Sequence, residues 1–219
     1  GVQTCALPIF QISSPLRLGG GETHVLQLTE SLRELGHDVL LAGRKGGAVK
    51  PEAEFPFRNA LDVSTVLGLR SLIKRGHFDI VHAHVARDYP LAVAASWGLP
   101  VKLVLTRHLL FPVKAPFLYG RVDGWIAPTT QILKTLAPMK PKASAVIPNW
   151  VDLRRFSFEP HASHAPLHLG LLGSFGAEVD AQTLLTRVSQ CMPYLDGGRL
   201  FANACSRLRS EEHTSELQS

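Results

Sequence analysis

Short apolar stretches alternate with segments of helical periodicity along the first 150 residues, and this alternation constrains the fold more than any other feature. Apolar, β-branched stretches predict strands, and apolar residues at i, i+3 and i+4 predict helices. Strands that alternate with helices are typical of an α/β fold with a doubly wound parallel sheet. The predicted strands cover residues 10–14, 37–42, 78–83, 101–106, 124–127 and 143–147, and the predicted helices cover 22–35, 63–75, 89–97 and 129–136.

The two ends of the chain do not follow this pattern. Residues 1–9 and 209–219 read as translations of the two strands of a sequencing-library adapter, so we expect both segments to be foreign and exclude them from the fold. Between them we expect a first domain over residues 10–156, a linker over 157–166 and the truncated start of a second domain over 167–208. The linker carries proline and histidine without periodicity, which is typical of a domain boundary.

Composition excludes several classes of protein. The 219 residues are 45% hydrophobic and 19% charged, as in soluble globular proteins. The net charge of +5 favours anionic partners or is ordinary surface charge, but the basic residues form no runs, so no nucleic-acid partner is expected. Three cysteines without metal-ligand spacing indicate neither a zinc site nor a disulfide framework and favour a cytoplasmic location.

A glycine-rich loop joins the first predicted strand to the first predicted helix. Gly19, Gly20 and Gly21 are followed by Glu22 and His24. Glycines let a backbone approach a ligand closely, and the N–H groups at a helix start face anions. The loop therefore fits contact with a diphosphate or a polyhydroxylated substrate, or simply a tight turn that needs positive φ. It is not the GxGxxG dinucleotide fingerprint.

Histidines stand at the mouths of three loops. His84 and His108 follow two predicted strands, and His24 follows the glycine loop. Ligands of such sheets lie at the carboxyl ends of the strands, so we expect these three side chains to line one polar pocket. His82 and His84 share a face of one strand, but no cysteine or carboxylate at ligand spacing accompanies them, and we expect no metal site.

Three further features are candidates for binding. Arg107 offers a guanidinium fork to a phosphate or carboxylate, or forms a surface salt bridge. The segment 107–121 combines aromatic and basic side chains, which suits a membrane surface or a lipid acceptor as well as an ordinary loop packed on the core. Asn149 belongs to a turn, residues 148–152, that ends the first domain.

The order of these motifs resembles glycosyltransferase family 4, whose members have the two-domain GT-B fold. The resemblance covers residues 10–156, with a weaker echo to 202, and rests on the segments GGGETHVLQLTESLRELGHDVLLAG, FDIVHAH, VLTRH, GWIAPTTQILKTL and VIPNWVDLRRF. It implies a Rossmann-like N-terminal domain that holds the acceptor, and a retaining transfer of a sugar from a nucleotide-sugar donor to a glycan or lipid-linked acceptor. It also implies no catalytic metal and no cofactor.

The resemblance assigns roles to individual residues. Gly19, Gly20 and Gly21 would face the donor diphosphate and the transferred sugar. His108 matches the histidine that contacts the donor sugar near its reacting carbon, and His84 would line the same cleft. Asn149 matches the Pro-Asn-Gly-Val-Asp segment before the hinge, with Trp150 in place of the glycine.

The chain departs from the family where the leaving diphosphate would be neutralised. Ser174 and Val179 stand where the family carries an arginine and a lysine, so we expect this polypeptide to lack activity although its parent gene encodes an enzyme. Two alternatives stay open: a non-catalytic sugar- or nucleotide-binding α/β module, and a Rossmann-fold oxidoreductase or epimerase. The second lacks its glycine fingerprint and its ribose-binding acid.

Overall fold

A computed structural model describes residues 6–17 and 19–150 of the chain. The chain divides into two units, Gly1–Ser157 and Phe158–Ser219, and all described residues belong to the first. The expected linker, the start of the second domain, Ser174 and Val179 lie outside the described residues.

A seven-stranded parallel sheet forms the centre of the described unit, in the order β3-β2-β1-β4-β5-β6-β7. All six neighbouring pairs are parallel, as the sequence predicts. The chain order reverses direction between β1 and β4, which defines the switch point of a doubly wound sheet. The strands are β1 Pro8–Ser13, β2 Asp38–Arg44, β3 Ala53–Phe55, β4 Ile80–Ala83, β5 Lys102–Thr106, β6 Gly124–Ala127 and β7 Ser144–Val146.

Helices cover both faces of this sheet, because parallel strands need crossover connections. The four α-helices are α1 Gly20–Glu34, α2 Val63–Gly76, α3 Tyr89–Ser96 and α4 Thr130–Lys134. Short 3-10 helices lie at Pro116–Tyr119 and Ala137–Met139. Asp62 caps α2 by accepting a hydrogen bond from the Thr65 N–H at 3.2 Å, and Gly36 follows α1 with a φ of 88°.

The main hydrophobic core lies between the sheet and α2 and α3. Alternate residues of β1 face it: Phe10 and Ile12 are fully buried, and the Phe10 ring stacks on Phe78 at 5.1 Å between centroids. Edge-to-face contacts join Tyr89, Tyr119 and Trp125 at 5.7 to 6.2 Å. The intervening residues of the strands face α1, so polar side chains such as Gln11 and His82 share that side of the sheet.

Three details differ from the sequence prediction. The first strand begins at Pro8, and Ile9 is buried between β2 and β4, so excluding residues 1–9 from the fold leaves out two strand residues. The stretch before α2, for which the sequence analysis predicts no strand, contains β3, which is only three residues long. Leu35, the last residue of the helix predicted over 22–35, follows the observed end of α1 at Glu34 and is 63% exposed.

Replacing Leu69 by alanine tests the packing of α2. Leu69 is fully buried against the sheet, and truncation of a buried leucine removes transfer free energy and leaves a cavity. We expect Leu69→Ala to lower the free energy of unfolding in urea by about 2–5 kcal/mol. The control is Leu67→Ala on the same helix, where the side chain is 61% exposed and the expected change is within about 0.5 kcal/mol. Equal losses for both variants would contradict the packing of this helix.

Candidate functional site

The carboxyl ends of β1, β4 and β5 meet at one edge of the sheet, because these parallel strands are neighbours. The connection from β1 to α1, the loop after β4 and the loop after β5 therefore converge there. Between them lies a cavity of about 210 Å³, lined by Ser13, Gly21, Glu22, His84, Val85, Ala86, Tyr89, Arg107, His108 and Leu109.

The structure brings the rings of His24, His84 and His108 together, but only His84 and His108 line this cavity, whereas His24 lines a neighbouring one. Their ring centroids lie 4.9 Å apart for His24 and His108, 6.1 Å for His24 and His84, and 6.4 Å for His84 and His108. His24 and His84 are buried, and His108 is half-buried. One ring nitrogen from each histidine lies within 4.8 Å of the others. We call these three residues the histidine cluster.

Burial keeps the histidine cluster neutral. Loss of solvation lowers the pKa of His24, lowers that of His84 well below its usual range with help from the neighbouring histidines, and lowers that of His108 to about 4 with help from His24 and Arg107. At neutral pH each ring therefore offers one N–H donor and one acceptor nitrogen. Such a surface suits hydroxyl groups, which both donate and accept hydrogen bonds.

His82 stands behind the histidine cluster and has a structural partner. Its ring lies 4.0 Å from that of His84, as expected for two residues on one face of a strand. The His82 Nε2 and the Thr106 hydroxyl form a hydrogen bond of 2.7 Å. The Tyr89 hydroxyl donates to the Thr106 carbonyl at 2.5 Å. These bonds fix the ends of β4 and β5, so His82 supports the site from within the sheet.

The glycine run belongs to the start of α1 and is not a turn. Gly19 is the N-cap residue with an extended φ of −153°, while Gly20 and Gly21 lie in the first helical turn. The interpretation of a tight turn that needs positive φ is therefore wrong. No side chain caps α1, which leaves N–H groups of its first turn available for an anion. Gly21 and Glu22 line the cavity at this point.

Arg107 is buried rather than a surface residue. Only 4% of it is exposed, so the alternative of a surface salt bridge is wrong. Its guanidinium donates to the Phe111 carbonyl, and its Nε lies buried without a hydrogen-bond partner. A buried cation with an unused donor at a cavity wall is suited to bind a phosphate or carboxylate group.

The turn after β7 contributes a different residue from the one expected. Asn149 is exposed and does not line the cavity. Trp150, which stands where the family motif has a glycine, packs edge-on against His24 at 4.7 Å between ring centroids. Trp150 therefore covers the histidine cluster on the side of α1.

A buried carboxyl group that the sequence analysis missed ties the site together. Asp88 accepts hydrogen bonds from the N–H of Ser14, at 2.8 Å, and from its hydroxyl. The Arg87 guanidinium donates to the Ser14 carbonyl at 2.7 Å. Burial raises the pKa of Asp88 to about 6 against these hydrogen bonds. The sequence signal was an aspartate directly before a helix with proline in its first turn, but its partner 74 residues away is visible only in the fold.

Comparison with known families identifies the class of protein. The family model named Glycosyltransferase Family 4 matches residues 18–155, which is more than half of the chain. The chain belongs to glycosyltransferase family 4. The expected fold and family are therefore both confirmed. None of the curated proteins compared with the sequence matches it.

Solved structures of glycosyltransferases share the fold at low sequence identity. A glycosyltransferase from Rickettsia africae matches with a TM-score of 0.55 and 18% identity over 69% of this chain and 45% of that chain. Anabaena HepE in complex with UDP matches with 0.55 and 15% over 70% and 47%. The lipopolysaccharide outer core galactosyltransferase WaaB matches with 0.55 and 13% over 73% and 50%.

The present chain spans about half the length of these proteins. The fold alone does not fix the reaction, since a UDP-GlcNAc 2-epimerase from Methanocaldococcus jannaschii also shares it, with a TM-score of 0.50 and 10% identity over 64% of this chain and 45% of that chain. The family match is what distinguishes a glycosyltransferase from an epimerase or an oxidoreductase here. No helix among the described residues has the length and apolar character to cross a membrane.

The pH dependence of stability tests the burial of His82. Loss of solvation, with the nearby His24 and His108, lowers its pKa from 6.5 to about 3. Below pH 6.5 the His82 imidazole therefore binds a proton in the unfolded chain but not in the folded chain. The free energy of unfolding consequently decreases as the pH falls. Between pH 7 and 5 this one group should remove about 2 kcal/mol.

We expect His82→Gln to lose about 2 kcal/mol less between these pH values than the wild type does, measured by urea unfolding at each pH. His77→Asn is the control, because His77 is exposed and lies in the left-handed region at the end of α2. If His82→Gln and the wild type showed the same loss on acidification, the side chain would be solvated rather than buried.

Proposed function

We propose that this chain is the acceptor-side part of a retaining glycosyltransferase that transfers a sugar from a nucleotide-sugar donor to a glycan or lipid-linked acceptor. The observation that carries the proposal is the combination of groups that line the 210 Å³ cavity. Arg107 and Gly21 at the start of α1 offer a positive charge and a free N–H group, and the neutral imidazoles of His84 and His108 offer hydrogen-bonding nitrogens. A nucleotide-sugar has the matching halves, an anionic diphosphate and a neutral sugar.

In this proposal each group acts on a defined part of the substrates. The N–H groups of Gly20 and Gly21 and the Arg107 guanidinium bind the donor diphosphate. His108 contacts the donor sugar beside its reacting carbon and is the catalytic residue of this half. His84 and His24 bind sugar hydroxyl groups. Glu22 lies at the cavity edge. Asn149 belongs to the turn that precedes the donor-binding half along the chain. The UDP held by HepE supports a nucleotide-sugar as donor.

Donor binding can be tested with UDP-glucose as the probe, since HepE was also solved with UDP and glucose. We expect UDP-glucose to shift the imidazole NMR signals of His108 and His84. Arg107→Gln should weaken binding by about 10–100-fold, because a hydrogen bond to a charged group contributes about 1.5–3 kcal/mol. The matched control is Lys114→Gln, an exposed cation of the same loop, with unchanged affinity. Equal affinities of both variants would count against a phosphate at Arg107.

We also propose that the chain by itself transfers no sugar. Ser174 and Val179 supply no cation for the leaving diphosphate, although Arg107 and the histidine cluster can still hold a ligand. The two observables are therefore separable: UDP-glucose binds, and no glycosylated product forms in a transfer assay with simple sugar acceptors. Glycosylated product formed by the chain itself would overturn this proposal.

An apolar groove supports a lipid-linked acceptor and peripheral contact with the cytoplasmic face of a membrane, as in cell-envelope polysaccharide synthesis. The groove has a volume of about 620 Å³ and lies between the start of α2, the length of α3 and the loop after β5, lined among others by Leu61, Val63, Trp97 and Phe117. Arg121 lies over the Trp97 ring at 4.4 Å. Within the loop, Tyr119 packs in the core, whereas Phe111 and Phe117 are 75% and 82% exposed.

Exposed aromatic side chains beside basic residues bind membrane surfaces through apolar burial and attraction to anionic lipids. We expect the chain to float with vesicles of phosphatidylglycerol and phosphatidylcholine, and Phe111→Ser with Phe117→Ser to reduce the bound fraction several-fold. Leu35→Ser removes a similarly exposed apolar side chain at the end of α1 and should leave flotation unchanged. Equal flotation of both variants would refute this contact.

A further inference from the structure

The histidine cluster has polar atoms that the protein itself leaves unsatisfied. Both ring nitrogens of His84 and the Nε2 of His108 are buried without a hydrogen-bond partner in the structure. A buried polar atom that finds no hydrogen-bond partner destabilises the folded state. Native proteins therefore supply such atoms with a partner, and here the partner has to come from outside the described residues.

The arrangement of the three rings limits the chemical class of that partner. His24 comes from a helix, and His84 and His108 follow neighbouring strands, so three separate backbone segments aim imidazoles at one point. One nitrogen of each lies within 4.8 Å of the others. Coordination to one zinc ion at about 2.0–2.1 Å would bring these nitrogens to about 3.4 Å apart.

Hydrogen bonding within the protein distinguishes His82 from the three histidines of the cluster. His82 already shares a 2.7 Å hydrogen bond with the Thr106 hydroxyl, so it has a partner within the sheet. Trp150 packs against His24, while His84 and His108 line the 210 Å³ cavity. A ligand held by the three rings would therefore be accessible from this cavity.

We propose that His24, His84 and His108 bind one divalent transition-metal ion of the zinc class. Imidazole nitrogen is a preferred ligand for zinc, copper and nickel, whereas magnesium and calcium prefer oxygen. Three histidines and an open fourth position form a known zinc geometry in which water or another ligand completes the tetrahedron. The expectation of no metal site, drawn from ligand spacing along the chain, is revised here because the three ligands come from separate segments that no local spacing motif joins.

The consequence for function rests on the proposed sugar transfer. An ion on His108 would occupy the nitrogen that is proposed to contact the donor sugar, so ion and donor would exclude each other. The metal-binding test below uses no sugar and no activity. Failure to bind metal would thus leave the glycosyltransferase proposal intact, and failure to bind UDP-glucose would leave the metal site intact.

The experiment measures binding of Zn²⁺ and Co²⁺ to the full chain and to His24→Gln, His84→Gln and His108→Gln. We expect one Zn²⁺ per chain by calorimetry and the intense visible absorption of four-coordinate Co²⁺. Loss of an outer-shell partner alone costs about 10–100-fold in metal affinity, so removal of a ligand should cost at least about 100-fold. His108→Gln is the decisive variant, because His108 is only half-buried and its replacement should preserve the fold.

Control variants remove other potential ligands. His77→Asn changes an exposed histidine, and two combined variants replace His161, His164 and His168 by glutamine, or Cys191 and Cys205 by serine. All three should bind one Zn²⁺ as the wild type does. Retained affinity in His108→Gln, with a folded NMR spectrum, would overturn the proposal. So would loss of the single Zn²⁺ in any of the three control variants.

Discussion

The parallel pairing of β1 with β4, and of β4 with β5, decides where every polar group of the site lies. Parallel strands in a doubly wound sheet end at the same edge, so the chain places three loop mouths side by side. Asp88 fixes this edge by accepting two hydrogen bonds from Ser14, from the N–H and the hydroxyl. Because Asp88 is fully buried and accepts both bonds from Ser14, it links the end of β1 to the start of α3.

Burial has opposite effects on the groups around this edge, and both effects reduce charge. It raises the pKa of Asp88 toward the neutral acid and lowers the pKa values of the clustered histidines toward the neutral base. The Arg107 guanidinium lies buried at this cavity, beside the imidazoles of His84 and His108, which burial keeps neutral.

Much of the fold could be predicted because it depends on local pattern. The strand at 124–127 and the helix beginning at Val63 follow directly from apolar runs, caps and periodicity. β3 was missed because three residues with a single partner strand leave almost no pattern. The convergence of His24, His84 and His108 was predictable from their positions after neighbouring strands, since a parallel sheet brings such positions together.

Other features of the site could not be predicted because they depend on long-range contacts. Nothing near Arg107 in the sequence shows that it is buried, since that depends on how the loop from Phe111 onward folds back over it. The partner of Asp88 and the contact of Trp150 with His24 are likewise tertiary. Asn149 was selected by its motif, yet the side chain one position later is the one that reaches the cluster.

The division of the pocket constrains its ligand more tightly than the family match does. A purely anionic ligand would use Arg107 and the start of α1 but leave the nitrogens of His84 buried without partners. A neutral sugar alone would satisfy the histidines and leave the Nε of Arg107 unused. A ligand with an anionic and a neutral hydrogen-bonding part, such as the nucleotide-sugar proposed above, would satisfy both sets of groups at once. An ion on the three imidazoles would satisfy one side and leave Arg107 free for an anion, so the two modes of occupancy share the histidines and differ in what Arg107 binds.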